Sequence, residues 1–227
     1  MSVRPPMIPT DVFVIEFSYF LAIFLLSLAI YLQTRKVQAF TLHRGIKYFQ
    51  IAFLSFALIY LCRLFQLSLQ GASASSTPNW QTMVSQASEF FVAFFTFYAI
   101  SNLLSSFLWK KYRAVTDNRL SMISLLFAVV VFFLRLPIIL LVVGLAAIVL
   151  LIVEIVSRHN SNQRIFSPIF VVYLLLLSFF LFDLVPSIQQ LTPIPVEIAG
   201  YVGSISVFAY INFKIKRVFA SGSEEEK

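Results

Sequence analysis

Seven apolar runs divide this chain, and most of them are about as long as a lipid bilayer is thick. They cover residues 11–33, 46–69, 84–108, 120–134, 138–156, 168–189 and 196–213. A helix rises 1.5 Å per residue, so about 20 apolar residues cross a hydrocarbon core of about 30 Å. The expected fold is therefore all-α: a polytopic integral membrane protein, built as a seven-transmembrane-helix bundle in one transmembrane domain. Composition agrees. The chain is 59% hydrophobic and 12% charged, whereas a soluble domain is typically about half apolar and a quarter charged. No stretch outside the runs is long enough to fold alone.

The fourth run is short, and only Arg135, Leu136 and Pro137 separate it from the fifth. One continuous helix through both would be about 55 Å long, nearly twice the hydrocarbon thickness. Proline breaks helices and biases the residue before it out of the α region, so a tight turn is the better reading. Six spans, with one long bent segment, is the alternative.

Charge sets the expected orientation. Of the 17 lysines and arginines, all but Arg4, Arg63 and Arg135 fall after the first, third, fifth and seventh runs. The loop 71–83 carries no charge. The positive-inside rule then puts the N-terminus outside and the C-terminus in the cytoplasm, which also requires an odd number of spans. A plasma-membrane location is expected. The first run is no cleaved signal: it is too long, and its basic pair, Arg35 and Lys36, follows it. Trp80, Trp109 and Tyr112 sit where interfacial aromatic anchors belong. Residues 218–227, with Glu224, Glu225 and Glu226, read as a short disordered acidic tail.

Ionisable residues inside the runs are costly, so each needs a reason. Arg63 lies in the apolar stretch FALIYLCRLFQL. With this orientation, Arg63, Glu16, Glu89, Glu197 and Asp183 all fall in the outer half. Helix dipoles favour Glu16, Glu89 and Glu197 in early turns by about 0.3–1 kcal/mol without any function. Arg63 has a stem long enough to snorkel to the headgroups. Glu154 has Arg158 four residues on, a structural surface pair. Asp183 is different. It sits near the C-terminal end of its helix, where the dipole disfavours an anion, and its short side chain needs a cation. The expectation is that Arg63 faces the interior and pairs with Asp183 or Glu89.

Polar residues recur at helical spacing and suggest one inward face per helix. The series are Glu16, Tyr19, Ser27 and Tyr31; Tyr60, Arg63 and Gln70; Ser88 or Glu89, Thr96, Ala99, Asn102 and Ser106; Tyr173, Asp183 and Ser187; and Glu197, Tyr201, Ser204 and Asn212. Gly200, Gly203, Ser204 and Ser206 read as helix-packing positions. The fifth run has no polar stripe and reads as lipid-exposed. The candidate ligand-binding or ion-pair residues are Arg63, Asp183, Glu89, Glu197, Glu16, Tyr60 and Tyr201.

The inventory argues against an enzyme and against a cofactor. Both histidines, His43 and His159, lie in loops, and Cys62 is the only cysteine. That leaves no set for zinc or haem within the bundle. No lysine lies inside the seventh run to hold a retinal. An outward polar cup over an apolar floor points to a receptor- or sensor-like protein, or the membrane subunit of a complex. A channel or transporter for a small solute or ion is the alternative. The expected partners are the bilayer, anionic lipid at the basic face, and a cytoplasmic protein or a second copy of the chain. Nucleic acid is not expected.

Overall fold

The computed structural model describes residues 10–38, 44–71, 78–108, 117–134 and 194–224, together with 142–144, 146, 147, 149, 150, 153 and 178. All of these are helical. The helices are α1 (Thr10–Gln38), α2 (Arg44–Gly71), α3 (Pro78–Leu108), α4 (Asp117–Leu134) and α5 (Ile194–Glu224). Arg135, Glu154, Tyr173, Asp183 and Ser187 lie outside the described residues.

Local chemistry accounts for the helix ends. Pro78 opens α3 and Pro195 sits in the first turn of α5, where a missing N–H costs nothing. Asp117 starts α4, a favoured place for a carboxylate. Gly71 closes α2. Arg35 and Lys36 lie in the last turn of α1, where the helix dipole favours cations.

The chain has the character of a helical membrane protein. Four helical stretches are long and apolar enough to cross a bilayer: Val12–Lys36, Arg44–Leu69, Thr82–Ser106 and Ile198–Arg217. The apolar part of α4, Arg119–Leu134, is shorter. Most described residues of the fifth run are exposed, as expected, but one small-residue face is covered. Val142, Val149, Leu150 and Val153 are exposed, but Gly144 and Ala147 are buried. Their small side chains let this helix sit against the bundle. One boundary also moves. α5 continues past residue 213 to Glu224, so most of the expected tail is helical. A helix can leave an apolar layer without a break because its backbone bonds are internal.

Neighbouring helices run in alternating directions. Contacts pair 66 with 85 and 62 with 88 across α2 and α3, and 90 with 132 and 97 with 127 across α3 and α4. In each case one number rises as the other falls, so the helices are antiparallel. Between α1 and α5, residue 19 meets 201 and residue 33 meets 212. Both numbers rise together, so α1 and α5 are parallel. α1 packs on α2 and α5, α2 on α3, and α3 on α4.

The core lies where α1, α2, α3 and α5 meet. Its largest members are Ile23, Ile30, Phe53, Phe56, Tyr60, Leu103, Phe208 and Ile211. Phe208 meets Phe53 and Phe56 edge-on, with ring centroids 6.1 and 6.0 Å apart. Lipid removes the hydrophobic drive between helices, so close packing must hold them. Ala52 of α2 and Ala99 of α3 are buried in this core, while Ala93 packs with Ala128 where α3 meets α4; such small residues let helices approach closely. Leu25, Leu32, Phe65, Met122, Leu126, Phe133 and Phe213 are exposed, as apolar side chains facing lipid would be.

Candidate functional site

The alternation gathers charge at one end of the bundle. The C-terminal ends of α1 and α5 and the N-terminal ends of α2 and α4 share that end. It carries Arg35, Lys36, Arg44, Lys47, Arg119, Lys214, Lys216 and Arg217. Arg63 lies in the other half, near the C-terminal end of α2.

The structure seats Arg63 on aromatic rings. Its guanidinium carbon is 5.5 Å from the ring centre of Tyr60 and 5.7 Å from that of Phe20. Tyr60 is three residues back on α2, one turn towards the helix middle, and Phe20 comes from α1. A helical side chain leans towards its own N-terminus, and here that lean carries the cation inward over both rings. The side chain is half-buried. Ring faces attract a cation, by about 0.5–1 kcal/mol when exposed and about 2 when desolvated. Arg63 thus spans the α1–α2 seam.

Three tyrosines extend the cluster. The hydroxyls of Tyr19 and Tyr60 are 3.5 Å apart, within reach of one hydrogen bond, and their rings meet edge-on at 6.0 Å. Tyr19 stacks on Tyr201 of α5 at 4.2 Å. Tyr60 is 1% exposed and Tyr19 3%, so this hydroxyl pair is shut away from solvent. Arg63, Tyr60, Tyr19 and Tyr201 therefore bring α1, α2 and α5 together at one level.

The carboxylates divide. Glu16 precedes Tyr19 and Phe20 by three and four residues, so it shares their face of α1. It is half-buried. Glu197 stands four residues before Tyr201 on α5, at the matching level, but its side chain lies outside the described set. Glu89 is exposed on α3. Its neighbour Ser88 faces α2 instead, donating to the Cys62 carbonyl at 3.2 Å, and Gln66 donates to Ser85 at 3.4 Å. Asp183 lies outside the described residues.

The inward faces read from spacing are largely recovered on α1, α3 and α5. Ser27, Thr96, Ala99, Asn102, Ser106 and Ser204 are all buried. The packing role expected of Gly200 and Gly203 is not. Among the described residues, a Cβ at either would meet nothing within 4 Å. Gly203 and Ser206 are exposed.

One polar contact escaped the sequence reading. Gln33 of α1 donates its amide N–H to Asn212 Oδ1 of α5 at 2.9 Å, near the basic end. Each amide stands two residues before a basic residue, Arg35 or Lys214, which is the signal that could have linked them. Among the described residues, Gln33 Oε1 and, in the core, Ser27 Oγ are buried without a hydrogen-bond partner. Thr34, Ser55, Ser68 and Ser124 instead return their hydroxyls to the carbonyl four residues back. Comparison with protein-family models, with curated proteins and with solved structures finds no match to this chain.

Proposed function

We propose that this chain is a receptor- or sensor-like seven-helix membrane protein, or the membrane subunit of a complex, with its N-terminus outside and its C-terminus in the cytoplasm. Its binding element is the outer tier of Arg63, Tyr60, Tyr19 and Tyr201, with Phe20 beneath the cation and Glu16 and Glu197 one turn above. The observation that carries this reading is the seating of Arg63. A cation held on two rings from different helices makes a site whose occupancy can alter how α1 and α2 pack. A ligand with an apolar or aromatic body and an acceptor group suits aromatic rings and a half-buried guanidinium. The membrane is the plasma membrane, and no catalytic role is proposed. On this reading the basic end meets the cytoplasm, contacting anionic lipid and a cytoplasmic protein or a second copy of the chain.

The parallel run of α1 and α5 supports the seven-span count. α4 runs opposite to both. In a seven-span chain the first and last spans are parallel, whereas in the six-span alternative they are antiparallel.

A channel or transporter is the second reading, and the Gln33–Asn212 bond favours it. With Ser27 and Ser204 it continues polar residues along α1 and α5 below the tyrosine tier, so the floor of the bundle is not wholly apolar. Reconstitution in liposomes separates the two. Capture of a soluble cytoplasmic protein by the full chain, without solute flux, supports the sensor. Solute flux abolished by Gln33→Leu supports transport instead.

A further inference from the structure

We propose that the basic end of the α1–α5 seam is a binding site for one anionic phospholipid, whose phosphate is held between Lys36 and Lys216. This deepens the membrane reading above and rests on it. Basic residues at one end can reflect topology alone. Register is what distinguishes this pair. The Gln33–Asn212 bond fixes α1 against α5 at 2.9 Å, and the Tyr19–Tyr201 stack shows that the two helices run the same way. Lys36 is three residues beyond Gln33 and Lys216 four beyond Asn212. Each is one helical turn past the same bond, and both are exposed. Packed helices have axes about 8–10 Å apart. Two lysine side chains can span that gap and meet on one phosphate, which also relieves their mutual repulsion.

The surroundings select a lipid over a free anion. Leu32 and Phe213 adjoin the two bonded amides in sequence, and both are exposed and apolar. Leu25 continues the exposed stripe along α1 one seven-residue step away. The exposed ring of Tyr210 carries Lys214 at 5.9 Å, a further cation at the same end. Two ammonium groups above an apolar wall match a molecule with an anionic head and acyl chains. Inorganic phosphate would use only the lysines, and an acidic soluble protein would have no use for the wall.

The test uses the purified full chain in neutral detergent, with bound lipid read by native mass spectrometry. Phosphatidylglycerol and phosphatidylcholine are supplied in equal amounts. The expected result is preferential retention of one phosphatidylglycerol, reduced about fivefold by each of Lys36→Gln and Lys216→Gln. The paired control Arg44→Gln/Lys47→Gln, on α2 at the same end, should lower retention less than either single lysine change. Inorganic phosphate in excess should not displace the lipid. Equal retention of both lipids overturns the proposal. So does an equal loss in the α2 control, which would mean diffuse charge attraction, or full displacement by phosphate, which would mean a free-anion site. Helicity by circular dichroism and monodispersity are followed in parallel. A chain that stays folded while showing no lipid preference loses this site but keeps the membrane reading.

Discussion

Gln33 and Asn212 are 179 residues apart in the chain and share one side-chain hydrogen bond of 2.9 Å. The bond is asymmetric in its consequences. Gln33 Nε2 and Asn212 Oδ1 satisfy each other, while Gln33 Oε1 stays buried and unpaired. Two substitutions that remove the same bond should therefore differ in cost.

Gln33→Leu removes the bond and the unpaired oxygen together, leaving only Asn212 Oδ1 unmatched. Asn212→Leu removes the bond and leaves both ends of the Gln33 amide unmatched. An interhelical hydrogen bond in a membrane contributes about 0.6 kcal/mol on average, and a buried polar group left unpaired costs about 1–3 kcal/mol. Asn212→Leu should lower the detergent melting temperature clearly more than Gln33→Leu. The double variant should melt close to Gln33→Leu. Equal losses from the two single changes would show that the amide oxygen is solvated.

Together with the Tyr19–Tyr201 stack, the same bond shows that α5 runs parallel to α1 and makes topology testable. Single cysteines at Ser75 and Asp117, after Cys62 is replaced, should react differently with an impermeant thiol reagent on intact cells. Labelling is expected at position 75 and not at 117. A third cysteine, at Ser223 near the end of α5, should be protected like 117. Labelling at 223 with protection at 117 would contradict the parallel run of α1 and α5.

The apolar runs made the helices legible because a bilayer demands about 20 apolar residues whatever the fold. Rotational register was only partly legible. The spacing of Thr96, Ala99, Asn102 and Ser106 marks the buried face of α3, since polar and small residues avoid lipid. The setting of Arg63 was not legible. Phe20 and Tyr60 are apolar enough to face lipid or protein equally well, and only helix packing puts them beneath the guanidinium. Gln33 was read as a span boundary because a lone amide beside two cations resembles a helix end. The extension of α5 to Glu224 leaves no apolar signal to read.

Gly200 and Gly203 read as packing positions from sequence, but a Cβ at either meets nothing among the described residues. Both lie within α5, where alanine is favoured over glycine by about 0.5–1 kcal/mol. Gly200→Ala and Gly203→Ala should each raise the detergent melting temperature slightly, and their effects should add. A drop at either position would reveal a neighbour in contact with that backbone, drawn from residues 135–193 or from a second copy of the chain.

Ser27 makes the opposite kind of case. Its side chain is fully buried and its hydroxyl has no hydrogen-bond partner among the described residues. Removing an unpaired buried hydroxyl is stabilising or neutral, because no bond is lost and a desolvated dipole disappears. Ser27→Ala should therefore hold or raise thermal stability by up to about 1 kcal/mol. A loss of more than that would mean that the hydroxyl holds a water or a ligand in the intact membrane.

The last prediction concerns Arg63, whose seating on Phe20 and Tyr60 joins α1 to α2. If the rings hold the cation, Arg63→Leu and Phe20→Leu remove one shared interaction. Each should lower stability, and the double change should cost less than their sum by about 0.5–2 kcal/mol. Arg63→Lys should recover only part of the loss, because an ammonium is a compact, strongly hydrated charge without a planar face to lay on a ring. The same cycle with Asp183→Leu measures the ion pair expected from sequence. Coupling with Phe20 but none with Asp183 supports the ring contacts and rules out an Arg63–Asp183 ion pair. Coupling with both means that the cation carries a carboxylate as well, and breaking that buried pair should then cost about 3–5 kcal/mol. Additivity with Phe20 would sink the cation–ring account and, with it, the main support for the outer tier as a binding element.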